Sequence, residues 1–389
     1  MTSVSHLKTM SLRKVHFVAK VSVNLQIEIK SGCHPATLFN IQDKLPLSST
    51  TDVRVFSMKF NQYAFCLMAA LSSNEVVSAP SASLQVAKPN STLFTDIDST
   101  DDQVVAVGKF GTIVTSTDGQ NWQQAEVPVQ SLLTAVTIKS DKAAWACGHD
   151  ATIVHSSDNG KTWQLQQYLP EQGKPCLDIE FIDENTGFAI GAYGMFYKTT
   201  NGGKTWKSQF ISDFVHPDDK EYLEELKEDD PEAYQDEIKF ILPHFNRLLM
   251  KDNAFYLVGE MGLVAKSEDK GISWQKFEEF YPGSFFSVNE TPDGQILVAG
   301  LRGNAFTKSQ SDNDFAEIDI AQTATINAIL PFKDSTLLFA NSGLVHAFDG
   351  HQVTSEQLPS GHAILSATIF NNKVIMATEK GLITWGDSK

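Results

Sequence analysis

The chain has 389 residues, 42% of them hydrophobic, so it is long enough to bury a large core in one or two domains. Its net charge is −16, but residues 1–79 are basic, with eight Lys/Arg against four Asp/Glu, and the remainder carries 23 against 43. A body of net charge −20 excludes the class of nucleic-acid-binding proteins, whose affinity comes from Lys and Arg that meet phosphates.

Residues 58–80, "MKFNQYAFCLMAALSSNEVVSAP", have the shape of a secretory signal. Lys59 gives a short basic start, residues 63–71 an apolar core, and residues 77–79 a small-residue cleavage pattern. We therefore expect residues 1–57 to be an upstream or disordered extension, residues 58–79 a signal peptide, and residues 80–389 an exported domain in the periplasm or another extracytoplasmic space. The alternative is a disordered N-terminal tail. No run reaches the 18 apolar residues of a spanning helix, so we expect membrane contact to be peripheral at most.

Seven similar segments follow. Four of them have an apolar run, a Gly-x-x-Gly turn (with Ala151 in place of one Gly), an alternating run, a polar turn and a Trp, and the other three are decayed copies. "AWACGHDATIVHSSDNGKTW" (144–163) and "FYLVGEMGLVAKSEDKGISW" (255–274) are two of the four well-preserved copies. The second small residue of the turn falls at positions 111, 151, 194, 262, 303, 343 and 381. The period is therefore about 40 residues, with one longer step after position 194.

Each unit contains four short β runs, which in the second unit are residues 133–138, 143–147, 152–155 and 163–167. Four antiparallel strands per repeat are typical of one propeller blade, so the sequence predicts an all-β, seven-bladed β-propeller. The last repeat has three strand-like runs. Because an open edge would leave backbone groups unpaired, we expect the strand-like segment 82–88 to complete blade seven, and its removal to cost much stability.

The polar turn is an Asp-box, Ser/Thr-x-Asp-x-Gly-x-x-Trp, and its recurrence indicates a structural role. The Asp or Asn side chain can accept backbone N–H bonds within the turn, and the Trp ring can pack between blades. The residues concerned are Asp118, Trp122, Asp158, Trp163, Asn201, Trp206, Asp269 and Trp274. Cys147 and Cys176 lie in apolar strand-like runs, so we expect buried thiols rather than a disulfide.

These motifs resemble the BNR or Asp-box propellers, and the spacing about one box per 40 residues is most similar to the photosystem II stability and assembly factor family. The resemblance covers residues 82–389. It implies a non-catalytic, extracytoplasmic, monomeric scaffold without cofactor or metal, which binds a protein partner in a membrane or envelope complex. That family uses an arginine patch for binding, whereas this region has only Arg247 and Arg302.

The competing class is a carbohydrate-active Asp-box propeller, either a glycoside hydrolase or a glycan binder. Sialidases hold the substrate carboxylate with three arginines, which two arginines cannot supply. Other glycosidases need only two carboxylates, and the acidic residues could provide such a pair. No nucleophile or metal motif supports other chemistry.

We expect a partner to bind the turn face, defined as the face of the ring that carries the Gly-x-x-Gly turns. The Asp-boxes then lie on the opposite, Asp-box face. Residues 212–244 form an acidic insertion between blades three and four, with helices predicted from Pro217 to about Lys227 and from Pro231 to about Ile241. This insertion is either a solvated surface or a docking arm. The predicted partner-binding residues are Lys109, Phe110, His149, Asp150, Tyr193, Glu260, Met261, Arg302, Lys380, Tyr222 and Leu226.

Overall fold

A computed structural model describes residues 80–385 except 141, 252 and 253. These residues form a seven-bladed β-propeller, in which six sheets have four antiparallel strands and one has three. Among the described residues, no helix is long and apolar enough to cross a membrane.

The strands β1–β27 run in chain order from blade one to blade seven. Those of blades one to four are Phe94–Ser99, Val104–Gly108, Ile113–Ser116, Gln123–Gln124; Leu133–Ile138, Ala144–Gly148, Thr152–Ser156, Gln164–Gln167; Cys176–Phe181, Gly187–Gly191, Phe196–Thr199, Lys207–Ser208; Phe245–Lys251, Ala254–Gly259, Val264–Ser267 and Gln275–Lys276. Those of blades five to seven are Phe285–Glu290, Ile296–Gly300, Ala305–Lys308, Ala316–Glu317; Ile326–Phe332, Ser335–Ala340, Leu344–Phe348, Val353–Gln357; Ile364–Phe370, Lys373–Thr378 and Gly381–Thr384.

The second strand of each blade is the most deeply buried element. All five residues of β2, "VVAVG", are buried, as are those of β6 and β10. Such strands are apolar on both sides because each sheet packs between two neighbouring blades. The hydrophobic clusters accordingly combine residues of adjacent blades, for example Val105 of blade one with Ala146 of blade two.

The inner strands surround a central channel, and polar side chains link one inner strand to the next. Asp96 accepts a hydrogen bond from the backbone N of Val136 (3.0 Å), and Asp178 accepts one from the backbone N of Leu248 (2.7 Å). Arg247 reaches both carboxylates, at 3.0 Å from Asp178 and 3.7 Å from Asp96. The channel is therefore held by charged groups that bond across blade junctions.

The prediction that residues 82–88 complete blade seven is wrong. Ser83 N donates to Val127 O (2.9 Å), and the Gln124 side chain bonds to the backbone of Leu84 and Val86, so this segment lies along the outer edge of blade one. The sheet of blade seven has three strands among the described residues. These glutamine contacts are side-chain bonds, which a strand pattern in the sequence does not reveal.

The ring closes between blades seven and one by side-chain packing and a few hydrogen bonds instead, one of which runs from Leu382 N to Asn90 O (3.2 Å). Phe94 and Ile97 of blade one share a buried cluster with Phe370 and Ile375 of blade seven. Ser99 Oγ also donates to Ile369 O (2.8 Å). The inner strand of blade seven therefore contacts that of blade one without a shared sheet.

The expectation of free buried thiols is also wrong, because Cys147 and Cys176 form a disulfide. Cys147 lies near the end of β6 in blade two, and Cys176 begins β9 in blade three, with a Cα–Cα distance of 5.8 Å. The two residues are 29 positions apart, and the propeller fold brings them to the same blade junction. Spacing along the chain contains no sign of this proximity.

The acidic insertion contains two helices, α1 (Pro217–Asp229) and α2 (Pro231–Glu237), between β12 and β13. The Asp230 side chain caps α2 by accepting from Ala233 N (3.0 Å). Leu223 of α1 is buried with Phe214, Leu242 and Trp274. Leu223 therefore packs on the rim of blades three and four, while Tyr222, a predicted partner-binding residue, remains 46% exposed.

Candidate functional site: an aromatic patch on the turn face

The Gly-x-x-Gly turns hold large side chains in a backbone conformation that disfavours them. The third residue of the turn has a positive φ in six blades: Phe110 (58°), Asp150 (62°), Tyr193 (54°), Met261 (56°), Arg302 (59°) and Ser342 (61°). Glycine or asparagine would adopt this left-handed region at lower cost. Three of these side chains, those of Phe110, Tyr193 and Met261, are nevertheless large, apolar and exposed by 57%, 38% and 71%.

The turns of blades three and four and the end of the insertion meet in one surface cluster, which we call the aromatic patch. It consists of Lys174, Tyr193, Phe240, His244, Glu260 and Met261. The Tyr193 ring lies 5.3 Å from that of Phe240 and 4.6 Å from that of His244, both edge to face. Gly194 N donates to Pro243 O (2.9 Å), which fixes the insertion's last residues against this turn.

Charged groups flank the rings of the aromatic patch. Lys174 Nζ donates to Tyr193 O (3.1 Å) and lies 5.6 Å from the centre of the Phe240 ring, within the range of a cation–π interaction. Burial, with a smaller contribution from the nearby charge of Lys239, lowers the pKa of Lys174. His244 Nδ1 lies 3.3 Å from Glu260 Oε1. The patch thus presents exposed rings, with a partly desolvated ammonium at one side and a carboxylate at the other.

The structure brings only some of the predicted binding residues together. Three of them belong to the aromatic patch. Tyr193 contacts His244, His244 lies beside Glu260, and Met261 follows Glu260 in the same turn. The other predicted residues lie in separate turns or on α1: Lys109, Phe110, His149, Asp150, Arg302, Lys380, Tyr222 and Leu226. Asp150 has a local role, since its carboxylate accepts from Ser131 Oγ (2.7 Å). Leu226, on α1, is half-buried.

Three residues of the aromatic patch were not predicted from the sequence, namely Lys174, Phe240 and His244. Phe240 is 55% exposed although it lies in the apolar run "FILPHF" that follows the acidic helices. An aromatic residue there, just before a proline and a strand, could have indicated that the insertion returns to the turn face. Lys174 lies in an ordinary polar loop and carries no such signal.

The Asp-box residues occupy the opposite face and bond within their own turns. Asp158 Oδ1 accepts from Lys161 N (3.1 Å) and Thr162 N (2.9 Å), and Asp269 makes the same pair of bonds. Backbone and side-chain hydrogen bonds from Asn121 lower the pKa of Asp118, and the Ser273 hydroxyl does the same for Asp269. Trp163 and Trp274 are buried, whereas Trp122 and Trp206 are partly buried.

The central channel contains carboxylates whose bonds are structural. Burial raises the pKa of Asp98 to about 6 and that of Glu180 to about 8. Asp98 accepts from Ile138 N (2.8 Å), and Glu180 lies 3.6 Å from Lys139 Nζ. Arg247 is bound to Asp178 in this channel, and Arg302 is in the exposed turn of blade five, so the two arginines share no site. Within residues 80–385, no group of three His, Cys, Asp or Glu is placed to hold a metal ion.

Comparison with known proteins finds a family whose sequence model matches part of this chain. The family model of the photosynthesis system II assembly factor YCF48 matches residues 99–196, which comprise most of blades one to three. The chain resembles photosystem II assembly factors. The matched segment ends at Phe196, before the acidic insertion and blade four.

Two curated relatives agree with this resemblance. The photosystem II assembly protein Ycf48 of Synechococcus sp. (strain JA-2-3B'a(2-13)) is 24% identical over 193 residues, 48% of this chain and 49% of the relative. The photosystem II stability/assembly factor HCF136 of Arabidopsis thaliana is 22% identical over 166 residues, 41% of this chain and 36% of the relative. The chain thus spans half or less of the length of these relatives.

A solved structure of YCF48 bound to a D1 peptide has the same fold, with a TM-score of 0.59 at 14% identity. The match covers 79% of this chain and 98% of the solved one. At this identity the likeness concerns the fold alone.

Proposed function

We propose that this chain is a non-catalytic scaffold that binds a polypeptide through the aromatic patch and assists the assembly of a membrane or envelope complex. The observation that carries the proposal is the exposure of Tyr193, Phe240 and Met261 at a junction of two blades and the insertion. Exposed aromatic and methionine side chains beside a few charged groups are typical of protein-binding surfaces. The relative bound to a D1 peptide supports polypeptide binding by a propeller of this type.

The proposed location is extracytoplasmic, with residues 58–79 as the signal. That segment lies outside the described residues, so the support comes from the propeller itself. A structural disulfide between Cys147 and Cys176 is typical of proteins that fold in an oxidising compartment. N-terminal sequencing of the protein purified from its native cells tests this directly: a mature chain that begins near Pro80 is the expected result, and a chain that retains residues 58–79 would contradict it.

The binding surface is tested by photo-crosslinking from two positions, one on each face of the ring, and by one alanine substitution on each face. A photoreactive residue at position 240 reports on the aromatic patch, and one at position 272 reports on the Asp-box face, where Ile272 is 76% exposed. We expect a crosslinked protein partner from position 240 that is lost in the Tyr193→Ala variant and retained in the Ile272→Ala variant. Crosslinks of equal yield from both positions would contradict a role of the patch.

The non-catalytic part of the proposal has its own test. A glycosidase screen and a glycan array are expected to be negative, because the channel carboxylates are bonded to backbone N–H groups and to Arg247. Turnover of any glycoside that is abolished by Asp98→Asn would instead support the carbohydrate-active class. Thermal unfolding of that variant separates loss of activity from loss of fold.

A further inference from the structure

A cleft of about 440 Å³ lies between blades four and five on the Asp-box face, opposite to the aromatic patch. Its walls come from the first residues of the second strands and the last residues of the third strands of both blades. The cleft is lined by Tyr256, Lys266, Glu268, Gln275, Lys276, Phe277, Lys308, Gln310 and Phe315, among others. No resemblance or predicted site assigns a role to it.

The cleft lies where other blade junctions are filled by an Asp-box glycine. In blade two, Gly160 packs against Thr115 and Val105 of blade one, so that an added Cβ would meet Thr115 at 2.9 Å. In blade four, Gly271 packs in the same way against Phe188 of blade three. Because of these contacts the Asp-box turn packs tightly against the preceding blade, so no cleft remains between the two blades at that point.

Blade five has a different turn, "SQSDNDF" (309–315), which contains no glycine and ends in Phe315 instead of Trp. Lys308 Nζ donates to Ser309 O (3.2 Å) and to Asp312 O (2.5 Å). The Asp312 carboxylate accepts from Ser309 Oγ (2.6 Å), so the turn folds back on itself. The residues of blade four that correspond to Val105 and Thr115 are Tyr256 and Lys266, which pair in the same register. They line the cleft instead of meeting a glycine.

The lining combines positive charge with aromatic surface. The lining contains three lysines, Lys266, Lys276 and Lys308, and one carboxylate, that of Glu268, to which Lys266 Nζ donates (2.6 Å). Among the described residues, no ion pair involves Lys276, which lies on the exposed edge strand β16. The Phe277 and Phe315 rings meet edge to face at 5.3 Å. A cleft with two more lysines than carboxylates is unusual in a body whose net charge is −20.

We propose that this cleft binds an acidic segment of a partner polypeptide. An Asp or Glu side chain of that segment pairs with Lys276, and an adjacent apolar side chain packs on Phe277 and Phe315. Charge complementarity selects this occupant, since lysines beside aromatic surface favour acidic peptides over neutral or basic ones. A long polyanion such as nucleic acid is disfavoured because the surrounding acidic surface repels it. The site is separate from the aromatic patch and does not depend on the proposed function of that patch.

The test measures fluorescence anisotropy of a labelled peptide of alternating Glu and Leu, with Lys–Leu and Ser–Leu peptides of equal length as comparisons. We expect saturable binding of the Glu–Leu peptide alone, weakened at high salt because screening reduces ion pairing. The Lys276→Glu variant is expected to bind at least about tenfold more weakly. The matched control Lys207→Glu reverses the charge of an exposed lysine on the outer strand of blade three and is expected to change affinity less than about twofold.

A second variant, which combines Phe277→Ala and Phe315→Ala, tests the contact between these rings and the apolar side chains of the peptide, and it is expected to bind the Glu–Leu peptide more weakly. Thermal unfolding checks that each variant retains the fold. Absence of saturable binding of the Glu–Leu peptide, equal binding of the Lys–Leu peptide, or equal loss in Lys276→Glu and Lys207→Glu would overturn the proposal. Concentration-dependent self-association that Lys276→Glu abolishes would also overturn it, because the occupant would then be the acidic insertion of a second copy. The Tyr193→Ala variant is expected to bind the peptide normally, so the two sites can fail independently.

Discussion

The junction between blades two and three and the junction between blades seven and one join neighbouring sheets by different means. At the first, the Cys147–Cys176 disulfide connects the sheets, and Trp145 stacks on Phe181 with ring centres 3.7 Å apart. At the second, where the first and last blades meet, the contact consists of buried side chains such as Phe94 and Phe370 and of hydroxyl bonds from Ser99. One junction contains a covalent crosslink, and the other depends on packing and hydrogen bonds.

This difference indicates where the ring is most vulnerable. Closing a propeller without a shared sheet leaves the junction of the first and last blades dependent on the fit of a few apolar side chains and on a few hydrogen bonds. The crosslinked junction would stay joined even if its packing loosened. Substitutions at the two junctions should therefore have different consequences for stability.

The largest effect is expected from Phe94→Ala at the junction of blades seven and one. Phe94 is fully buried, and removing a buried phenylalanine side chain costs about 4 kcal/mol through lost burial and the cavity left behind. Urea unfolding of the propeller should show a lower midpoint with little change in slope. Leu84→Ala is the control, because that side chain is 65% exposed. Equal midpoints for Phe94→Ala and the wild type would mean that this junction does not limit stability.

The next largest effect is expected from removing the disulfide with Cys147→Ser and Cys176→Ser. A crosslink that closes a loop of 29 residues contributes about 3 kcal/mol by restricting the unfolded chain. The thermal midpoint of the double variant should fall, and dithiothreitol should lower that of the wild type to a similar value. The double variant serves as its own control, because its midpoint should not respond to the reductant. Insensitivity of the wild type would show that the bond contributes nothing to stability.

The number of blades could be predicted from the sequence because the repeating turn is a local feature. Residues 133–138 and 152–155 of blade two were predicted as strands and lie within the observed Leu133–Ile138 and Thr152–Ser156. Both insertion helices begin at the predicted prolines, since proline at the first helical position is a local signal.

Contacts between distant segments could not be predicted in this way. The period shows that blade seven lacks a strand, but it does not indicate that Gln124 binds the backbone of Leu84 and Val86 in blade one. The approach of Phe240 to Tyr193 likewise depends on how the insertion returns to the ring, which no residue spacing determines. The candidate site was therefore only partly predicted. The sequence predicted the turn face and three residues of the aromatic patch, but it did not predict Lys174, Phe240 and His244.

A smaller effect is expected from pH, and it concerns the charged channel between the early blades. Burial raises the pKa of Glu180 to about 8 from an ordinary value of 4.5, so the folded state binds a proton that the unfolded state has lost at neutral pH. Its contribution to stability is full below about pH 4.5 and is lost as the pH rises through about 8. We expect the thermal midpoint to fall between about pH 7 and pH 9, and less steeply in Glu180→Gln.

Between about pH 7 and pH 9, the opposite effect of a buried histidine, His346, does not interfere. Burial lowers the pKa of His346 below 6.5, so its protonation on acidification removes stability only below that pH. The junction of blades seven and one is bonded by Ser99 and Thr368 hydroxyls, which do not titrate there. If the thermal midpoint of Glu180→Gln falls with pH as steeply as that of the wild type, the Glu180 carboxyl does not change its protonation on folding.

The smallest effect is expected from removing residues 80–87, which lie along blade one rather than closing blade seven. Their side chains Leu84 and Val86 are 65% and 51% exposed, and their bonds to Val127 and the Gln124 side chain can be replaced by water. We expect a loss of about 1 kcal/mol in the free energy of unfolding, measured between chains that begin at Pro80 and at Lys88. A loss as large as that of Phe94→Ala would mean that this segment completes the ring in solution. In that case the packing between blades seven and one would be a consequence of closure and not its cause.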